Sequence, residues 1–310
     1  MSKYGFYGRL KSEFPSQIIV DLTNLCNLEC IHCGHSKMKK SPLYSKANLD
    51  FALNKKMIDE VKKEGHNICE YIRYTADGEP MLHKNVFDIL EYAVNNCNSK
   101  ITLTTNGTLL NDENVDRLID TGLHSVDVSI DAFSESSYTS IRRKGDYQKT
   151  KQNVLSLINK KKSTKVFVSF ISQPANEKEA EAFEKYWSEN GADYVVIRRL
   201  HSCANFLEFS EIDSNAERRP CVYPWERIVL TPEGKLTFCP AYWGRKEFYL
   251  FDLNTITIKE AWQSEIMNKL RDAHLNNNFN GFDMCATCQD WLQMRWPDEG
   301  RAYADLIREQ

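Results

Sequence analysis

Residues 17–33 read QIIVDLTNLCNLECIHC, a β-rich run from Gln17 to Leu22 followed at once by three cysteines, Cys26, Cys30 and Cys33. The run is rich in β-branched residues, so it reads as a strand, and the cysteines fall on the loop leaving its C-terminal end. Three thiolates spaced this closely can wrap one metal centre from one side. A structural zinc ion would want a fourth ligand, which His32 or His35 offers. An iron–sulfur cluster held by three cysteines would instead keep one iron open for a substrate or cofactor. Spacing alone leaves both metals open.

Outward from this stretch, β-rich and helical runs alternate. Further strands are expected at Tyr71 to Thr75, Ile101 to Thr105, Ser125 to Ile130, Val166 to Ile171 and Tyr194 to Arg199. Amphipathic helices are expected at about Asn54 to Lys63, Val86 to Asn95, Asn111 to Asp120, Lys149 to Asn159 and Lys178 to Glu189. Six strands joined by helical crossovers mean an α/β fold with a parallel sheet, open or closed into a partial barrel, across residues 1–200. Ligands of such sheets collect at the C-terminal strand ends.

Composition narrows the function. Lys and Arg total 40 against 43 Asp and Glu, a net charge of −3, so there is no general cationic surface for nucleic acid. The 310-residue chain has no apolar run long enough to span a membrane, and MSKYGFYGRLKSEF at its start is no signal peptide, so a cytoplasmic location is expected. Disulfides are disfavoured there, and ten cysteines point to metal or redox chemistry.

After Arg199 the pattern changes. An irregular stretch, His201 to Pro220, precedes a hairpin, Arg227 to Thr231 and Lys235 to Cys239 around Pro232-Glu233-Gly234. A helix at about Ile258 to His274 follows, then Cys285-Ala286-Thr287-Cys288. Residues 201–310 form a small second module that needs a metal for stability. Its cysteines, Cys221, Cys239, Cys285 and Cys288, suit either a four-thiolate zinc site or a fully ligated iron–sulfur cluster.

The pattern resembles the radical S-adenosylmethionine (SAM) superfamily, in which three cysteines hold a four-iron cluster and SAM chelates the fourth iron. Cys-x3-Cys-x2-Cys after the first strand carries the likeness. Asp77-Gly78-Glu79-Pro80 is similar to the family's Gly-Gly-Glu-Pro, with Asp77 where the first glycine usually stands. The resemblance implies a partial (β/α)6 barrel, with Gly78 and Glu79 at the methionine amino group. It also puts Asn106 at the third strand's end, Ser129 and Asp131 at the SAM ribose, Arg142 or its neighbour Arg143 at the SAM carboxylate, and His32 near the adenine. The second cysteine set is similar to the SPASM and Twitch modules, which implies an auxiliary 4Fe-4S cluster, two clusters in all. No cysteine follows Cys288, which fits the shorter Twitch form.

These readings imply an enzyme that makes a 5′-deoxyadenosyl radical and removes hydrogen from a small polar, carbohydrate-like substrate, with flavodoxin or ferredoxin as external electron donor. The expected outcome is dehydrogenation of a carbinol, with Arg198, His201 and Cys203 after the sixth strand at the substrate. Arg199 and Ser202 join them as polar candidates, and Tyr242 and Trp243 as a cavity wall or module core. Alternatives are epimerisation with Cys203 as hydrogen donor, maturation of a peptide, and a zinc-stabilised binding protein without turnover. Only a short stretch precedes the first strand, which leaves no room for an N-terminal peptide-recognition domain.

Overall fold

The computed structural model describes residues 11–75, 77–208 and 217–293; the outer ends of both expected domains, 1–10 and 294–310, lie outside the described residues. Strands β1 (Gln17–Asp21), β2 (Tyr71–Thr75), β3 (Lys100–Thr105), β4 (Ser125–Ser129), β5 (Lys165–Ser172) and β6 (Tyr194–Arg199) run parallel, each paired with the next. The crossovers carry α1 (Gly34–Met38), α2 (Phe51–Glu64), α3 (Val86–Asn96), α4 (Asp112–Asp120), α5 (Glu135–Ile141), α6 (Tyr147–Lys160) and α7 (Ala180–Glu189). β6 and β1 stand apart in the sheet order, so the (β/α)6 barrel is partial and open.

Period-two alternation explains how the sheet makes an interior. Ile72, Tyr74, Leu103, Val126, Val128, Val166 and Val168 pack with Met57, Ile58, Leu90 and Leu157 of the helices into the main core. Alternate positions on the same strands are polar. Arg73 Nε donates to Thr104 Oγ1 at 2.9 Å, and Arg73 Nη2 and Arg198 Nη2 donate to Asp127 Oδ2 at 3.3 and 2.6 Å. The Ser169 hydroxyl donates to the other Asp127 oxygen. A parallel sheet covered by helices on both faces would be apolar on both. Here one face is covered, and the other lines the barrel with hydrogen-bonding groups.

The sheet does not stop at β6. Strand β7 (Arg227–Leu230) joins it parallel to β1, with Gln17 opposite Arg227 and Val20 opposite Leu230. Strands β8 (Lys235–Thr237) and β9 (Phe251–Asp252) then add antiparallel. A second core joins Ile19 of β1 and Met38 of α1 to Val229, Phe238, Tyr242, Trp262 and Leu270. The expected hairpin is present, and it is built onto the barrel's first strand. The expected single helix at Ile258 to His274 is corrected to α9 (Ile258–Gln263) and α10 (Glu265–Asn276). Ser264 between them takes ψ 156°, and its hydroxyl accepts from Met267 N and donates to Ala261 O. A serine that caps a new helix stops the old one.

Candidate functional site

The first cysteine loop leaves β1 and is fastened on two sides. Glu29 N donates to Arg143 O and Ile31 N to Ile141 O, both at 3.0 Å, so the end of α5 holds its middle. Gly78 holds its start, because a Cβ there would stand 2.1 Å from Leu25 O. Only glycine allows the β2 loop to approach the residues before Cys26 this closely. Cys30 lies within electrostatic reach of both Cys26 and Cys33, and burial pushes the Cys26 thiol up to about 12. Protonated thiols packed together are what a metal centre would deprotonate on binding. Gly34, the next residue, touches the Trp243 ring, and a Cβ there would meet it at 2.6 Å.

Glu79 is buried at the end of the β2 loop. Thr105 Oγ1 donates to its Oε1 at 2.6 Å, Met81 N to the same oxygen at 3.1 Å, and Asn106 N to its Oε2 at 2.7 Å. Burial raises its carboxyl above the usual range, against the pull of these donors. The Asn106 side chain joins the strand-end loops differently, donating to Asn27 Oδ1 at 2.9 Å and accepting from Thr108. Ser129 closes β4, half-buried and opposite Ser169.

Asp131 and Arg142 meet each other. Arg142 Nε and Nη2 both donate to Asp131 Oδ2, at 2.9 and 2.5 Å, and Ile171 N donates to Oδ1 at 2.7 Å. Asp131 holds φ 59°, a left-handed backbone that Asp tolerates better than most residues. His32 Nε2 lies 3.3 Å from the same Oδ2, while its Nδ1 is 3.2 Å from Gln173 Nε2. Burial depresses the imidazole to about 4, against the pull of Asp131. It is neutral, and with Gln173 donating to Nδ1 the remaining proton belongs on Nε2, facing Asp131.

Beyond β6 the chain makes three successive left-handed residues, Cys203, Ala204 and Asn205, at φ 54°, 53° and 60°. The Asp290 carboxylate accepts from Ser202 N, Ser202 Oγ and Ala204 N at 2.6–2.7 Å. Arg245 donates to the carbonyls of Cys203 and Ala204. The Cys203 thiol is buried, with Gly34 and Trp243 beside it, and it lies within electrostatic reach of Cys33. His201 Nδ1 accepts from Cys203 N at 3.2 Å. Arg198 points into the barrel, where it binds Asp127.

The second cysteine set comes together from three places: Cys221 before α8 (Tyr223–Glu226), Cys239 after β8, and Cys285 and Cys288 at α11 (Asp283–Ala286). Cys239 feels the charge of Cys221, Cys285 and Cys288, and burial raises all four thiols. Arg218 reaches over them, donating to the carbonyls of Cys285, Ala286 and Cys288 at 2.6–3.1 Å. Among the described residues no three His, Cys, Asp or Glu side chains converge closely enough to share one ion. The cavity lined by His66, Cys69, Tyr71 and Lys100, about 390 Å³, opens at the N-terminal strand ends, away from all these residues.

The model of the Radical SAM superfamily matches residues 20–185, more than half of the chain. The chain belongs to the radical SAM superfamily. The SPASM iron-sulfur cluster-binding domain matches residues 221–289, which span all four cysteines of the second set. A radical SAM protein with this module carries a 4Fe-4S cluster, SAM and an auxiliary iron–sulfur cluster. Among its relatives, the probable GTP 3′,8-cyclase of Methanocaldococcus jannaschii is 29% identical over 195 residues, 61% of either chain. The AdoMet-dependent heme synthase of Methanosarcina barkeri is 34% identical over 41% of this chain and 34% of its own. The chain thus spans about six-tenths and one-third of these relatives. BtrN, solved with AdoMet and 2-DOIA, superposes with a TM-score of 0.63 at 16% identity, covering 93% of this chain and 96% of its own. SuiB of Streptococcus suis, bound to its precursor peptide SuiA, gives 0.64 at 13% identity, covering 96% and 74%. At such identities the likeness is one of fold. No helix among the described residues is long and apolar enough to cross a membrane.

Several residues of this radical SAM chain escape a sequence reading. Arg218 and Asp290 lie in stretches without regular pattern; Asp21 and Asp77 meet through the pairing of β1 with β2, and Tyr242 reaches them from the chain that follows β8. The Asp127 layer was legible as alternation along Ser125–Ser129, which reads Ser-Val-Asp-Val-Ser.

Proposed function

We propose that the chain dehydrogenates a carbinol of a small polar substrate. In this reading Cys26, Cys30 and Cys33 hold the SAM-binding cluster in a unit formed by residues 1–200. Cys221, Cys239, Cys285 and Cys288 close the auxiliary cluster within 201–310. The observation that carries it is the gathering of four thiols at the second site, Cys239 and Cys285 buried and Cys221 and Cys288 half-buried, each within electrostatic reach of others in the set. Four thiolates leave no iron open to substrate, which suits electron transfer.

Reductive cleavage of SAM supplies a 5′-deoxyadenosyl radical, which takes a hydrogen atom from a C–H bond. The substrate then loses a proton and one electron to become a carbonyl. The electron that cleaves SAM is recovered, so SAM and alcohol give methionine, 5′-deoxyadenosine, ketone or aldehyde, and a proton. The chain's residues bind and orient. Gly78 and Glu79 take the SAM ammonium, with Glu79 already fixed by Thr105 and Asn106. Ser129 and Asp131 take the ribose, and the Arg142 N–H groups not used by Asp131 take the carboxylate. The His32 backbone borders the adenine. The polar barrel lining of Arg73, Asp127 and Arg198, with His201 at its rim, supports a hydroxylated substrate. The first electron comes from an external donor of the flavodoxin or ferredoxin kind.

A second reading, epimerisation, is favoured by the buried Cys203 thiol beside Cys33. The test is anaerobic reconstitution with SAM, a one-electron reductant and a panel of sugars, aminocyclitols and peptides. Dehydrogenation gives 5′-deoxyadenosine and a product lighter by two hydrogen atoms. Product of unchanged mass in H2O that gains one deuterium in D2O, dependent on Cys203, would overturn it in favour of epimerisation.

A further inference from the structure

Between the two cysteine sets lies a group of buried polar atoms that the proposed reaction does not use. Asp21 ends β1 and Asp77 precedes Gly78; they are 2% and 4% exposed, and Oδ2 of each makes no hydrogen bond. Glu233, at the β7–β8 turn, has an unbonded Oε2, and its Oε1 accepts from the Ser45 hydroxyl. Ser45 in turn accepts from Asn24 Nδ2 at 2.5 Å, leaving Asn24 Oδ1 unbonded as well. Tyr242, 1% exposed, turns its hydroxyl toward Asp21 and Asp77 without a hydrogen bond of full geometry to either. Tyr249 borders the same carboxyls.

With the carboxyls ionised, the unsatisfied atoms are unbalanced in kind: acceptor oxygens on four residues, with the Tyr242 hydroxyl as the donor among them. The guanidinium that acts on Asp77, Arg245, spends its donors on the carbonyls of Cys203, Ala204, Ala241 and Tyr242. Burial pushes Asp21 up to about 8 and holds Asp77 well above the usual carboxyl range, and Glu233 raises both. Buried acceptors without donors cost stability until a ligand supplies both donors and positive charge. An ammonium group, with three N–H donors, no acceptor and a positive charge, matches the lining.

We propose that Asp21, Asp77, Glu233 and Tyr242 form a recognition site for an ammonium group of the substrate. The inference deepens, and rests on, the reading of the chain as a dehydrogenase of a small polar substrate. The position suits it. Asp77 acts electrostatically on Cys203, Cys203 acts on Cys33, and Tyr242 stands three residues beyond Cys239. The amine would be gripped between the two cysteine sets, with the oxidisable carbon toward the first.

Thermal unfolding of the reconstituted full chain tests the site with ethanolamine as probe. Ethylene glycol, which lacks the amine, and potassium chloride at matched ionic strength are the controls. Ethanolamine is expected to raise Tm in a concentration-dependent way, and neither control to do so. Asp21→Asn and Asp77→Asn should each abolish that rise. Each should also unfold at higher temperature than the wild type without amine, which a merely structural carboxylate would not do. Should either variant fail to fold, Tyr242→Phe is the substitute, with a weakened rise expected. An equal rise with ethylene glycol or potassium chloride, or a rise undiminished in the variants, would overturn the proposal. SAM cleavage to 5′-deoxyadenosine is measured on the same preparation: its absence with the ethanolamine response intact would sink the dehydrogenase reading and leave the ammonium site standing.

Discussion

Arg142 donates through both Nε and Nη2 to a single oxygen of Asp131, at 2.9 and 2.5 Å, and the two side chains are 6% and 0% exposed. The pair ties the end of α5 to the loop after β4, and α5 in turn holds the first cysteine loop through Ile141 and Arg143. Breaking a buried pair strands one charge without compensation. Arg142→Met is therefore expected to cost about 3–5 kcal/mol in chemical denaturation. The double variant with Asp131→Asn should recover part of this loss, because Asn keeps the left-handed backbone and carries no charge. A double variant no more stable than Arg142→Met would contradict that account.

Asp127 is held by two guanidiniums inside the barrel. Burial raises its pKa, but Arg198 and Arg73 outweigh burial, so the carboxyl titrates below its ordinary 3.8. A depressed folded value means that the unfolded chain binds the proton first as pH falls. The stabilisation is whole above 3.8 and is lost below it, as pH drops through the folded value. Stability measured against pH should lose this acid step in Asp127→Asn, and that variant should be less stable at neutral pH. An unchanged acid profile would argue against the assignment.

Gly78→Ala should be damaging out of proportion to its size. The added methyl group would meet Leu25 O at 2.1 Å, and backbone on both sides must move. The displaced segment leads directly into Cys26. Iron per chain should fall from about eight to about four while the second site stays loaded. Full iron content in this variant would show that the close approach does not position the first loop.

Asp21 gives a pH dependence of opposite sign. Its folded pKa, about 8, is raised from 3.8, chiefly by burial, with Glu233 adding and Tyr242 opposing. Asp77, Tyr249 and Arg245 face the same space. The folded chain therefore holds a proton that the unfolded chain has already lost. Its stabilisation is whole below 3.8 and fades as pH rises toward 8. In amine-free protein, Asp21→Asn should flatten the fall in stability over that range. A slope unchanged by the substitution would contradict the buried, unpaired state.

The barrel was legible because its strands carry a strong signal. Tyr71–Thr75 and Tyr194–Arg199 begin and end where their composition says, since β-branched and aromatic residues cluster there and turn-formers flank them. The cysteine sets were legible for the same local reason. What lay beyond reach was non-local. The pairing of β7 with β1 joins residues 227 and 17, and neither strand announces its neighbour. Arg142 read as a partner for a ligand carboxylate, yet it also serves Asp131, a choice that only the turn after β4 reveals. The break at Ser264 was written in the sequence as a capping residue, and a continuous apolar period hid it.

The central claim is that two separate cysteine sets hold two iron–sulfur centres, one for SAM and one auxiliary. Iron counted per chain after anaerobic reconstitution tests it most directly, in the wild type and in two variants. One carries Ala at Cys26, Cys30 and Cys33, the other at Cys221, Cys239, Cys285 and Cys288. The account predicts about eight irons in the wild type and about four in each variant. Wild-type iron in either variant, or zinc in place of iron at the second set, would contradict it.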